Sequence, residues 1–242
     1  MKVFKFGGAS IHSVEKIQNM AAILQEYREE KIMVVISAMG KTTNALEKVV
    51  AAFFAGKKEE ALELFQQIKQ THHDLAKYLL VKQALATERL LKDLYTEVEW
   101  LLHDKPVREY DYYYDQIVCI GELLSTTLIS AYLTEEGINN KWIDVRDIFR
   151  TDNNFRDANV DWRTTLSNIT QKVIPEFKDV NIVITQGFIG ATDDNESTTL
   201  GREGSDYSAA IFAHILDAES LTIWKDVKGV MNADPKKDVE VN

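Results

Sequence analysis

Two hydrophobic rhythms alternate along this chain. Val3 to Phe6, Ile32 to Ile36, Lys141 to Val145, Asn181 to Thr185 and Leu221 to Trp224 are short, apolar or β-branched runs. Runs of that length and composition predict buried strands. Between them, apolar residues recur every three or four positions: Val14, Ile17, Ala21, Leu24 and Tyr27, then Leu46, Val49, Val50, Phe53 and Phe54. That spacing predicts amphipathic helices. From about Lys57 to Leu102 only the helical rhythm is present, and a further helix is predicted from about Tyr113 to Glu136 with Gly137 as its stop. Trp162 to Glu176 and Tyr207 to Leu216 read as later helices, and the polar stretch Ala191 to Ser197 as a mobile loop.

Strands separated by helices imply parallel pairing with helices on both faces. Ligands in such sheets bind at the loops that follow the carboxyl ends of the strands. Those loops are therefore the places to look for chemistry.

Length and charge narrow the classes. The 242 residues suffice for one large core. Lys and Arg number 28 against 38 Asp and Glu, so the net charge of −10 opposes nucleic acid or an anionic membrane as the main partner. One cysteine, Cys119, forms no internal disulfide, and Met1 to Gly8 does not read as a signal peptide. No apolar run is expected to approach the roughly 20 residues of a membrane helix. A cytoplasmic protein is expected.

Five strand-end segments carry unusual residues. In the first, Lys5 precedes Gly7 and Gly8, which suits either a tight turn or a phosphate cradle. The second, Ser37 to Asn44, contains Gly-Lys-Thr but has Val35 where a P-loop needs glycine, so it is a hydroxyl-rich loop in which Thr43 or Asn44 could cap a helix. In the third, Glu122 interrupts an apolar stretch. It lies either on an exposed stripe or buried beside a positive partner such as a substrate ammonium. In the fourth, Arg202 sits between Gly201 and Gly204, followed by Ser205 and Asp206 at a helix start. An arginine there suits a carboxylate gripped by two parallel hydrogen bonds. A capping role would explain Ser205 or Asp206 but not Arg202. The fifth runs from Trp224 to Lys236 with Gly229 and Asp234-Pro235 as turn signals. The tyrosines Tyr110 and Tyr112 to Tyr114 read as packing or interface residues rather than a ligand cage, and Cys119 as core.

Taken in order, these segments resemble the aspartate kinases of the amino-acid kinase family. The matching pieces are Lys5-Phe6-Gly7-Gly8, Val34 to Ala38 with Thr43-Asn44, Gly121-Glu122-Leu123-Leu124-Ser125, Asp144-Val145-Arg146, Val183 to Gly190, Thr198 to Arg202 with Gly204 to Tyr207, and Ile223-Trp224 with Asp226-Val227 and Asp234-Pro235. The resemblance implies a three-layer α/β/α sandwich around a mostly parallel sheet. It implies transfer of the γ-phosphoryl group of ATP, as its Mg²⁺ complex, to the side-chain carboxylate of L-aspartate, opening the route to lysine, threonine and methionine. Under it Lys5 and the Gly7 and Gly8 amides meet the phosphoryl group, Asp206 holds Lys5, Arg202 and Ser205 serve the substrate, and Glu122 takes its ammonium. Ser37 and Thr43 line the aspartate pocket, and Lys225, Asp226, Met231 and Lys236 fall on nucleotide-binding positions. Mg²⁺ would be held by ATP oxygens and water, with no protein metal site.

The chain also departs from that pattern. Ala9 stands where threonine is usual, Glu203 where glycine is, Met231 where tyrosine is frequent and Lys236 where arginine is common. The expectation is one catalytic domain over residues 1–242, incomplete at its C-terminus, with a helical subregion at about 57–136 and without the regulatory ACT domains of a full-length, homo-oligomeric enzyme. The competing expectations are an inert aspartate- or nucleotide-binding fragment and a sister kinase acting on another acid.

Overall fold

The computed structural model describes residues 1–225. Asp226, Met231 and Lys236, expected above to touch nucleotide, lie outside the described residues.

A five-stranded parallel sheet forms the centre, ordered β3-β4-β2-β1-β7. Its strands are β1 (Lys2–Phe6), β2 (Ile32–Ile36), β3 (Asn140–Trp142), β4 (Ile182–Gln186) and β7 (Ser220–Trp224). Each coincides with a predicted run to within a few residues. Register is continuous: Phe6 sits between Ile36 and Trp224 across three neighbouring strands. All the carboxyl ends in this central group therefore open on one edge of the sheet.

Alternation along each strand divides two cores. Val3, Met33, Val35 and Val183 face one side, packed with α2 (Thr42–Phe54), α5 (Tyr110–Val118) and α8 (Gly204–Ile215). Phe4, Phe6, Val34, Ile36 and Ile184 face the other, packed with α1 (Val14–Glu26) and α6 (Ile120–Glu135). The chain is thus a three-layer α/β/α sandwich. The helical subregion contributes α3 (Lys58–Leu79) and α4 (Ala84–His103). A short α7 (Trp162–Asn168) continues through one π turn and a 3₁₀ turn to Lys178.

Three expectations need correction. The helix predicted from Tyr113 to Glu136 is two segments, α5 and α6, that abut at Cys119. Together they span Tyr110–Glu135, long and apolar enough by length and composition to cross a membrane, contrary to the expectation that no run approached that length. Burial inside the fold accounts for 83% of its most apolar window, so its apolar character serves the core. After β4 the chain leaves the central sheet. Phe188 takes a left-handed φ of 73°, and the chain turns into an antiparallel hairpin of β5 (Ile189–Ala191) and β6 (Ser197–Thr199). The polar stretch read as a mobile loop is the tip of this hairpin. Thr192 and Glu196 close it by a 2.9 Å backbone bond, and Arg108 pairs with Glu196.

Candidate active site

The site is built from the strand ends upward. In β1, alternation sends Phe4 and Phe6 into one core and leaves Lys5 on the opposite face, only 6% exposed. A buried ammonium needs a partner. Helix α8 crosses above that face, and Asp206 in its first turn supplies the partner: Lys5 Nζ lies 2.7 Å from Asp206 Oδ1. The second oxygen, Oδ2, lies 3.1 Å from Lys225 Nζ at the end of β7. Burial raises the Asp206 pKa, but Lys5 and Lys225 outweigh it and hold the carboxyl below the ordinary aspartate range.

Two glycines after β1 let the next loop close in. A Cβ on Gly8 would stand 2.4 Å from the Ala38 carbonyl oxygen, so only glycine fits. The Gly8 carbonyl accepts the Gly40 amide at 3.0 Å, locking the two loops together. The Gly7 amide donates to the Trp224 carbonyl at 3.3 Å and ties β1 to β7, whereas Gly8 lines the cavity.

The Ser37–Asn44 loop proves not to be a capping motif. Helix α2 starts with Lys41 at its N-cap and no side-chain cap bond, while Thr42 Oγ1 donates to the Met39 carbonyl at 2.6 Å. Ser37 and Thr43 line the cavity instead.

Glu122 is buried at 2% exposure, which removes the exposed-stripe reading. The preceding Gly121 lets α6 press on this loop: a Cβ there would come within 3.1 Å of Ala38 Cβ and Leu46 Cδ1. Glu122 Oε1 accepts the Ala38 amide at 3.1 Å, and Oε2 is buried with no partner among the described residues. Burial dominates its titration and pushes the pKa up to about 8, against the opposing Ala38 N–H and the Lys5 charge.

The start of α8 is shaped by the hairpin. A Cβ at Gly187 would lie 2.8 Å from Ser205 Cα, and one at Gly204 would lie 2.8 Å from Phe188 Cδ2. Glu203, left-handed at φ 58°, occupies the N-cap without a side-chain cap bond. Ser205 and Asp206 are therefore not the caps; both line the cavity. Arg202 is exposed at the same cavity and makes no hydrogen bond or ion pair with the described residues, which leaves its guanidinium available.

These pieces enclose one cavity of about 520 Å³. It gathers Lys5, Gly8, Ser37, Thr43, Glu122, Arg202, Ser205, Asp206 and Lys225 from separate parts of the chain. Sequence reasoning missed Tyr114, Arg156, Phe188 and Thr199, which also line it. Tyr114 was read as packing, and Arg156 sits in a polar turn with no periodicity to single it out. The cavity holds four cationic side chains, Lys5, Arg156, Arg202 and Lys225, against Glu122, Glu203 and Asp206. With Glu122 protonated at neutral pH, four positive charges face two negative ones. An acidic protein has thus concentrated positive potential where two anions could meet.

The chain is also similar to known proteins. The chain is 32% identical to lysine-sensitive aspartokinase 3 of Escherichia coli (strain K12) over 236 residues, covering 97% of this chain and 51% of that protein. It is 33% identical to the aspartokinase of Chlamydia trachomatis, covering 99% of this chain and 52% of the relative. The chain therefore spans about half the length of the curated relatives it matches. The crystal structure of E. coli aspartokinase III in complex with aspartate and ADP superposes with a TM-score of 0.86 at 30% identity, over 100% of this chain and 52% of that one. The sequence pattern of the amino acid kinase family matches residues 1–242, the full sequence. A parallel sheet whose strand ends converge on one cationic cavity, in a chain matched from end to end, makes this protein a member of the amino acid kinase family.

Proposed function

We propose that the chain carries the catalytic region of an aspartate kinase, transferring the γ-phosphoryl group of ATP to the side-chain carboxylate of L-aspartate to give 4-phospho-L-aspartate and ADP. One observation carries the proposal: Lys5, locked to Asp206, shares a single cavity with Arg202 and the half-satisfied Glu122.

The chemistry asks for little else. An aspartate side chain, with a pKa near about 3.9, is already ionised at neutral pH, so no general base is required. A carboxylate oxygen attacks the γ-phosphorus, the bond to the bridging oxygen breaks, and ADP leaves with those electrons. The obstacle is repulsion between two anions. Positioning and charge neutralisation remove it. Lys5 supplies a fixed positive charge, and Gly8 gives the phosphate close backbone access. Lys225 extends the cationic wall toward the nucleotide. Ser37, Thr43 and Ser205 line the acceptor end, Arg202 grips the α-carboxylate, and Glu122 receives the ammonium through its unpaired oxygen.

The cationic wall and the Gly8 cradle fit a triphosphate. The carboxylate of Asp206 is already held between two lysines, so Mg²⁺ would sit on phosphate oxygens rather than on this chain. When bound, the ion supplies further charge neutralisation on the phosphates.

Trapping the acyl phosphate with hydroxylamine tests the proposal. Hydroxamate formed from aspartate supports it. Product from glutamate alone points to a sister kinase, and nucleotide or aspartate binding without product points to an inert fragment.

A further inference from the structure

Of the four cationic side chains of the cavity, Arg156 is the one that the reading above leaves without a role, and its backbone is strained. Its φ of 70° lies in the left-handed region, which favours glycine. Such a conformation persists only where surrounding contacts hold it. Here they are plain. The Arg156 amide donates to buried Asp115 Oδ2 at 2.9 Å, and the same carboxylate accepts the Thr199 amide at 2.8 Å and the Thr199 hydroxyl at 2.7 Å. The guanidinium lies 4.5 Å from the centre of the Tyr114 ring and pairs with Asp111 at 3.0 Å. Tyr114 is fixed in turn by its hydroxyl bond to Glu47 at 2.8 Å.

The turn bearing Arg156 also touches the turn bearing Arg202. A Cβ on Gly201 would stand 2.5 Å from Asp157 Oδ1 and 3.4 Å from the Arg156 carbonyl oxygen. Thr199 on the hairpin and Arg156 on its own turn are thus hung from one carboxylate, and Arg202 follows two residues after Leu200 on the same strand end. Both arginines line the one cavity together with Tyr114 and Thr199, and Lys5 and Lys225 hold Asp206 in the same cavity.

We propose that Arg156 is a second carboxylate-recognition residue of the acceptor site, acting beside Arg202 on the acceptor's α-carboxylate, so that acceptors lacking that carboxylate are rejected by two guanidinium groups rather than one. Stacking on Tyr114 and the Asp111 pair pre-orient the side chain, which limits the entropy lost when it engages a carboxylate. This inference rests on the aspartate reading and deepens it.

The test is calorimetric titration of the full chain with L-aspartate and with L-aspartate α-amide, for the parent and for Arg156→Gly and Arg156→Lys. Glycine suits the left-handed backbone, so Arg156→Gly should fold with an unchanged or higher thermal midpoint. The expected result is an affinity for aspartate about 10-fold lower in Arg156→Gly, since a charged hydrogen-bonding partner is lost. The preference of the parent for aspartate over the α-amide should shrink with it, Arg156→Lys should fall between, and ADP affinity should not change. Equal aspartate affinity in Arg156→Gly and parent overturns the inference. So does an equal loss for aspartate and its amide, which would mark a structural role. A parent that binds neither acceptor while still binding ADP overturns the aspartate reading itself and this inference with it.

Discussion

Lys5 and Asp206 stand at opposite ends of the described chain, yet Lys5 Nζ lies 2.7 Å from Asp206 Oδ1. The pairing positions a nearly buried ammonium without neutralising the cavity, because Lys225 shares the same carboxylate. Lys5→Ala should therefore depress turnover by about 10²–10³-fold, the usual cost of losing one transition-state charge contact. Nucleotide affinity should change far less. The hydroxamate assay and an ADP titration on the same variant check this, and unchanged turnover would remove Lys5 from the chemistry.

Arg202 is exposed at the cavity and supports no other described side chain. Arg202→Ala should raise the acceptor KM by about 10-fold or more while leaving the thermal midpoint within error. An unaltered KM would exclude Arg202 from acceptor binding.

Under the proposed roles, Glu122 should make acceptor binding depend on pH. Burial raises its pKa from the usual 4.5 to about 8, so it is largely protonated at neutral pH. A substrate ammonium placed beside Oε2 stabilises the ionised form. Aspartate affinity should then climb between pH 6.5 and 8.5, with proton release visible as a dependence of the binding enthalpy on the buffer. Stability runs the other way. A raised folded pKa favours the protonated folded state, so this contribution is full below pH 4.5 and is lost as pH rises through about 8. Glu122→Gln should flatten both trends, and a pH-independent affinity in the parent would separate Glu122 from the ammonium.

Gly8 tests the loop packing. A methyl group at Gly8 would stand 2.4 Å from the Ala38 carbonyl oxygen, so the two loops must part. Overpacking of this kind costs about 1–3 kcal/mol, and each kcal/mol lowers the midpoint of a chain this size by about 2–4 °C. Gly8→Ala should melt several degrees lower and lose turnover as well. Gly56→Ala offers a contrast: its φ of 75° strains any side chain, but no atom of the described residues lies within 4 Å of the added Cβ, so it should lose stability and keep its activity.

Much of this was open to reading in one dimension. A strand such as Ile32–Ile36, apolar throughout and β-branched at all but Met33, could only be buried on both faces, and the helical spacing of Leu46, Val49, Val50 and Phe53 marked the buried side of α2. Those patterns arise from nearest neighbours along the backbone, and so they survive without coordinates. The order of strand, glycine-rich loop and helix likewise indicated which ends of the sheet would carry the chemistry.

Contacts between distant segments were decided elsewhere. Whether Glu122 faced solvent or Ala38 depended on how α6 leans across the sheet, and α6 is apolar on nearly every side, so periodicity distinguished no face. Arg156 joined the cavity because Asp115, buried in another helix, gathers its amide and that of Thr199. The sequence by itself determined the alternating layers and the strand ends at which charged residues collect, because local apolar spacing dictates both. Only the tertiary structure decided which charges face one another, because hydrogen bonds and close approaches between segments far apart in the chain leave no periodic trace in either of them.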